Sequence, residues 1–164
     1  MSKMKLWAQA LLVAGLAGLA IADRPAHAQA TPEKVLASAE YSNDPSLRCD
    51  LLQVKRVSGG ALNVKWRVVN TVKPGSGLTG TPAKSISYHF SWSQLYYTDP
   101  AENKKYGYLT DSAGNKILHV FEGGYAAGQQ RTNWAKFPAP PATSKKITIY
   151  IPQFPPFDDV PISE

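Results

Sequence analysis

The chain has 164 residues, with 18 Lys and Arg against 12 Asp and Glu for a formal net charge of +6, 43% hydrophobic residues, 13 Pro, 12 Gly and one Cys. These figures exclude a multidomain machine, a disulfide-stapled miniprotein and a disordered chain, because one domain spans about 100 to 200 residues and this chain is apolar enough to bury a core.

The first residues read as an export address. Lys3 and Lys5 form a positive n-region, Leu11 to Ala22 is apolar, and Ala26-His27-Ala28 puts small residues where a signal peptidase cuts. A signal peptide is expected over 1–28, cleaved before Gln29, with the mature chain periplasmic or secreted. The apolar run has 12 residues where a bilayer helix needs about 20, and Asp23 and Arg24 follow it, so no transmembrane segment is expected after processing. Processing removes Lys3, Lys5, Arg24 and Asp23, which lowers the net charge to +4. The basic pairs Lys55-Arg56, Lys104-Lys105 and Lys145-Lys146 sit in separate segments, a pattern of solvated charge rather than of nucleic-acid binding.

Residues 29–49 are expected as an N-terminal arm or a short helix, since Thr31-Pro32 has an N-cap residue followed by Pro at the first helical position and Val35 to Glu40 can carry one or two turns. Cys49 is the only thiol, so no intramolecular disulfide can form. Arg48 stands where a lipoprotein cleavage site wants a small residue, which argues against lipidation. A buried, inert thiol is expected, with an intermolecular disulfide as the alternative.

The period then becomes two. Leu52 and Val54, then Leu62, Val64, Trp66 and Val68, alternate with polar residues, and Ser58-Gly59-Gly60 lies between them, which predicts an antiparallel strand pair. Lys73 to Lys84 holds Pro74, Gly75, Gly77, Gly80 and Pro82 and reads as a loop. Ile86, Tyr88, Phe90 and Trp92 alternate against Ser85, Ser87, His89 and Ser91. The parity changes near Ser93, which marks a bulge or the start of a new strand. Tyr106, Tyr108 and Ile117 to Phe121 read as two short strands joined by the turn residues Asp111 to Asn115, and Gly123, Gly124 and Gly128 as the next turn. Gln130 to Phe137 is extended, Ile147, Ile149 and Ile151 alternate, and the Pro-rich tail suits only an edge strand or an ordered cover. About seven to eight short strands from Asp50 onward, with turn signals between them, predict an all-β antiparallel β-sandwich over 50–164. Its expected core is Leu62, Val64, Trp66, Val68, Phe90, Trp92, Ile147, Ile149 and Ile151.

Trp134 to Pro141, then Ile147-Thr148-Ile149-Tyr150-Ile151-Pro152, then Pro156 to Ile162 resemble the closing strands of secreted bacterial immunoglobulin-like domains of the telokin-like type. Val64 to Asn70 is similar to their second strand. The likeness covers roughly 50 to 162 and implies an immunoglobulin-like sandwich; the family is mostly of unknown function and supplies no catalytic residues. The Gly/Pro insertion at 73 to 84 departs from its pattern.

No catalytic set assembles, and an enzyme is not expected. His89 and His119 are the histidines of the mature chain, and no Gly-x-Ser-x-Gly elbow accompanies them. One Cys and two distant His make no zinc spacing, and Asp99, Glu102, Asn103 and Asp111 lack the regular spacing of a calcium loop, so neither metal nor cofactor is expected. Asp158 and Asp159 are adjacent, so an extended chain points them to opposite sides as solvated groups. Tyrosines remain. At least one of Tyr96 and Tyr97 must face outward on a strand, and Tyr96, Tyr97, Tyr106 and Tyr108 with Asp99 and Asn103 form the candidate binding group. The expected role is to bind a protein partner in the envelope or outside the cell, with a glycan as the alternative ligand.

Overall fold

A computed structural model of the chain describes residues 33–75 and 85–164. The expected signal peptide over 1–28 with its cleavage site, and the part of the Gly/Pro loop from 76 to 84, lie outside the described residues. Within them the chain is all-β. In chain order the strands are β1 Ala37–Tyr41, β2 Asp44–Val57, β3 Ala61–Asn70, β4 Ile86–Tyr88, β5 Tyr96–Asp99, β6 Lys104–Gly107, β7 Leu118–His119, β8 Gly123–Tyr125, β9 Gln130–Pro138, β10 Lys146–Tyr150 and β11 Phe157–Pro161. A 3-10 turn at Trp92–Gln94 is the helical element among them, and no described helix is long and apolar enough to cross a membrane.

Five strands pair in the order β1-β2-β3-β9-β7, four in the order β11-β10-β5-β6, and β4 pairs with β8 as a separate ribbon; all these pairings are antiparallel. The β2–β3 hairpin turns through Ser58-Gly59-Gly60, where φ of +82° and +69° at the two glycines supplies the left-handed backbone that side chains with a Cβ resist. Asn63, Lys65 and Arg67 of β3 face out, whereas Leu62, Val64, Trp66 and Val68 are fully buried. The inner faces of the two larger sheets share one core, in a sandwich-like arrangement. Tyr97 of β5 meets Phe137 of β9 edge-on across it, ring centroids 5.7 Å apart. A parallel bridge from Lys55 to Ser163 ties the end of the tail to β2, with Ser163 N donating to Val54 O and Arg56 N to Ser163 O.

Strand β2 is longer than its alternation suggests. Leu47, Cys49 and Leu51 point inward at odd positions, the register against β3 shifts between Leu51 and Gln53, and Val54 points inward at an even one. Leu52 is the inserted residue of a β-bulge, which reverses the parity.

Several expectations are corrected. Val35 to Glu40 is no helix: Ala37 to Glu40 pairs with β2 from Leu51 to Arg48, so sheet structure begins well before Asp50. A short helix has too few bonds to offset its nucleation, whereas an edge strand gains a ladder at once. Phe90 and Trp92 are half-buried rather than core, because strand β4 ends at Tyr88 and the chain leaves its alternation for the 3-10 turn at Trp92–Gln94. That turn is also what changes the parity near Ser93. Gly123 and Gly124 are strand β8, not a turn. A Cβ at Gly124 would stand 3.1 Å from Ser85 Oγ, a tight contact that a side chain there could keep only if Ser85 shifted, so glycine suits the close approach of the two segments. β6 and β7 belong to different sheets, and the segments between them meet near the turn through the Thr110–Lys116 bridge and the hydrogen bond from Ile117 N to Leu109 O. The described strands number eleven, not seven or eight. Ile147, Ile149 and Ile151 are buried as expected, and the Pro-rich tail forms the edge strand β11.

Candidate functional site on the outer face of the four-stranded sheet

The six candidate residues do not converge. Tyr97 is fully buried, stacked on the half-buried Tyr106 at 4.7 Å and 10°, and its hydroxyl donates to Pro138 O at 2.8 Å. Burial, with the neighbouring Tyr106 and Asp99, pushes that hydroxyl well above the ordinary tyrosine range, and Arg56 opposes the shift only in part. This pair therefore belongs to the core. Asp99 is also fully buried, where it accepts from Ser144 Oγ and from Ala101 N. It shapes the β5–β6 turn. Asn103 sits at the exposed tip of that turn with φ of +50°. Tyr108 lies at another place, half-buried against Trp92 with ring centroids 6.4 Å apart.

Of the four tyrosines only Tyr96 lies on the outer sheet face, and it has partners from elsewhere in the chain. Its register partner on β10 is Tyr150, and the two rings stack with centroids 4.4 Å apart at 18°. Lys105 of β6 places Nζ 3.7 Å from the Tyr96 ring centroid. Lys105, Tyr96 and Tyr150 thus form a row running across three strands. The signal for Tyr150 was in the sequence: if Ile147, Ile149 and Ile151 point inward, Tyr150 must point outward beside Thr148. Thr148 Oγ1 continues the polar face by donating to Asp158 Oδ1 at 3.1 Å.

Beside Tyr150 lies a hollow of about 270 Å³ lined by Gln94, Tyr96, Tyr150, Pro152 and Gln153 among others. Gln153 fixes one wall. Its carbonyl accepts from Ser42 N and Oγ, its Oε1 accepts from Tyr41 OH, and its Nε2 donates to His89 O at 2.7 Å. It holds φ at +64°, a strained value for a residue with a side chain.

Two of the acidic residues near the turns are engaged locally. Asp111 Oδ1 accepts from Ala113 N and Asn115 N, and Glu102 pairs with Lys104 Nζ at 3.1 Å. Asp158 and Asp159 are exposed at a register shift against β10. Among the described residues no three His, Cys, Asp or Glu are grouped to hold a metal ion. Cys49 is buried, and burial together with the Asp50 charge pushes its thiol pKa well up. No family model, curated protein or solved structure matches the chain.

Proposed function

We propose that the chain is an exported, non-catalytic, immunoglobulin-like module that acts in the periplasm or outside the cell and binds a protein partner through the outer face of β10, β5 and β6. The Lys105–Tyr96–Tyr150 row carries this reading. A sugar stacks on a free ring face, ideally on coplanar rings, but Tyr96 has Lys105 against one face and Tyr150 against the other. What the row offers is ring edges, hydroxyls and an ammonium on a flat sheet, the chemistry by which tyrosine and basic residues anchor protein interfaces. Export rests on the n-region, apolar run and Ala26-His27-Ala28; the immunoglobulin-like reading rests on the antiparallel sheets around one core and on the C-terminal motifs.

The far face of Tyr150, beside Gln94 and the hollow, favours a glycan as the second reading. Retention of envelope proteins by the tagged mature chain, measured beside an insoluble-polysaccharide assay, separates the two. Loss of one specific protein on Tyr96→Ala with Tyr150→Ala is the expected result. Saccharide retention with no protein partner overturns it in favour of the glycan.

A further inference from the structure

We propose that the partner presents an extended acidic segment that adds to the free edge of β6 as a fifth strand of the β11-β10-β5-β6 sheet; the inference rests on the protein-binding reading above. β6 closes that sheet on one side, and among the described residues Lys104 to Gly107 make no backbone hydrogen bond beyond their pairing with β5. In an antiparallel pair, alternate N–H and C=O groups of the outer strand point away from its neighbour, so this edge presents unused donors and acceptors.

Charge selects the occupant. Lys105 has no carboxylate within ion-pair distance among the described residues, and its ammonium is held over Tyr96 on the outer face. The nearest carboxylates are already committed, Glu102 to Lys104 and Asp99 to Ser144 and the turn backbone. Antiparallel pairing of two copies along this edge would set Lys104 against Gly107 and Lys105 against Tyr106, matching no cation with a carboxylate and gathering four lysines on one short ribbon, which repels. An acidic strand is attracted instead. Open space is available on the outer face, since a Cβ at Gly107, the register partner of Tyr96, would meet nothing within 4 Å. A hollow of about 330 Å³ at the β5–β6 turn is lined by Thr98, Asp99, Pro100, Asn103, Lys104 and Lys105, with the Asp99 carboxylate buried and already bonded to Ser144 and Ala101. The favoured pattern alternates carboxylates, set beside Lys105, with apolar residues, set beside the half-buried Tyr106.

The probe is a fluorescent peptide alternating Glu and Val, titrated against the full mature chain, with a Lys/Val peptide as its counterpart. Saturable binding of the Glu/Val peptide alone is expected, weakened about tenfold or more by Lys104→Glu with Lys105→Glu. Methylating one alternate set of the peptide's amides should abolish binding while the other set is tolerated. This second measurement uses the unaltered protein and stands whether or not the variants fold. Equal binding of both methylated peptides, indifference to the lysine reversals in a folded variant, or no Glu/Val binding overturns the inference. If the peptide does not bind while the Tyr96 and Tyr150 substitutions still release the envelope partner, this inference falls and the wider reading stands.

Discussion

Asp50 of β2 faces Arg67 of β3 in direct register, with Arg67 Nη2 3.0 Å from Asp50 Oδ2, and the same buried carboxylate accepts from Arg48 Nε and Ser38 Oγ at 2.8 Å each. Burial pushes the Asp50 carboxyl up, but the Arg48, Ser38 and Arg67 hydrogen bonds and the Arg48 charge outweigh it and hold it below the usual carboxylate range. Its stability contribution is therefore full above about pH 5, fades as pH falls through the ordinary carboxylate range, and is gone below the lowered folded value. Asp50→Asn should cost about 2 kcal/mol at pH 7, a low figure because Arg48 is partly solvated. Urea unfolding of both proteins at pH 7 and at pH 3 checks this: the gap narrows in acid.

Trp66 is fully buried, and its Nε1 has no hydrogen-bond partner among the described residues. Trp66→Ala should cost about 3 to 5 kcal/mol by opening a cavity. Trp66→Phe keeps much of the volume and removes the unpaired N–H, whose burial itself costs about 1 to 3 kcal/mol. Chemical denaturation should place the Phe variant far closer to wild type than to the Ala variant.

The two neighbouring tyrosines should separate by experiment. Tyr97→Ala removes a core ring and should cost about 3 to 5 kcal/mol. Tyr96→Ala removes a ring from the outer face and should cost about 1 kcal/mol, the scale of an aromatic pair on a sheet surface. Equal losses in thermal unfolding would show that the outer row is structural and undo its role as a binding surface.

How much of this was legible depended on whether a strand ran unbroken. β3 and β10 could be read from Leu62 to Val68 and from Ile147 to Ile151, because each is regular and one-sided. β2 was legible only beyond Leu52, since the bulge there reverses the parity and hides Leu47, Cys49 and Leu51. β8 had no apolar pattern to read in Gly123 and Gly124; its signature is the close approach of Ser85, which is a long-range contact. Tyr96 lies on the outer face as the strand alternation allows, but its neighbours there are not the residues near it in sequence. Proximity in sequence placed Tyr97 and Asp99 beside Tyr96, whereas a strand sends alternate residues to opposite faces and pairing brings Tyr150 and Lys105 from elsewhere.

Gln153 offers a test in which glycine should beat alanine. Both substitutions lose the bonds to Tyr41 and His89, but at φ of +64° alanine also bears the left-handed penalty of about 1 kcal/mol or more. Gln153→Gly should therefore be more stable than Gln153→Ala by about that amount, the reverse of the usual order in a regular strand. Calorimetry of the pair decides it.

Cys49 should resist alkylation in the folded protein at pH 8 and react fully in urea, because burial and the adjacent Asp50 charge both suppress its thiolate. Rapid labelling under native conditions would contradict the buried assignment.

The order β2-β3-β9 has a consequence for how the chain assembles. β3 is central in its finished sheet, yet Val69 pairs with Gln130 and Ala61 with Pro138, so one side of β3 waits for a strand that comes much later in the chain. Until β9 docks, the β2–β3 hairpin, with β1 beside β2 on its other side, leaves the edge of β3 unpaired and able to capture the wrong strand, and such distant closure slows folding. Asn63, Lys65 and Arg67, alternating with the buried residues, act during that interval as gatekeepers: their solvation and charge oppose stacking of one nascent hairpin on another until the native neighbour arrives.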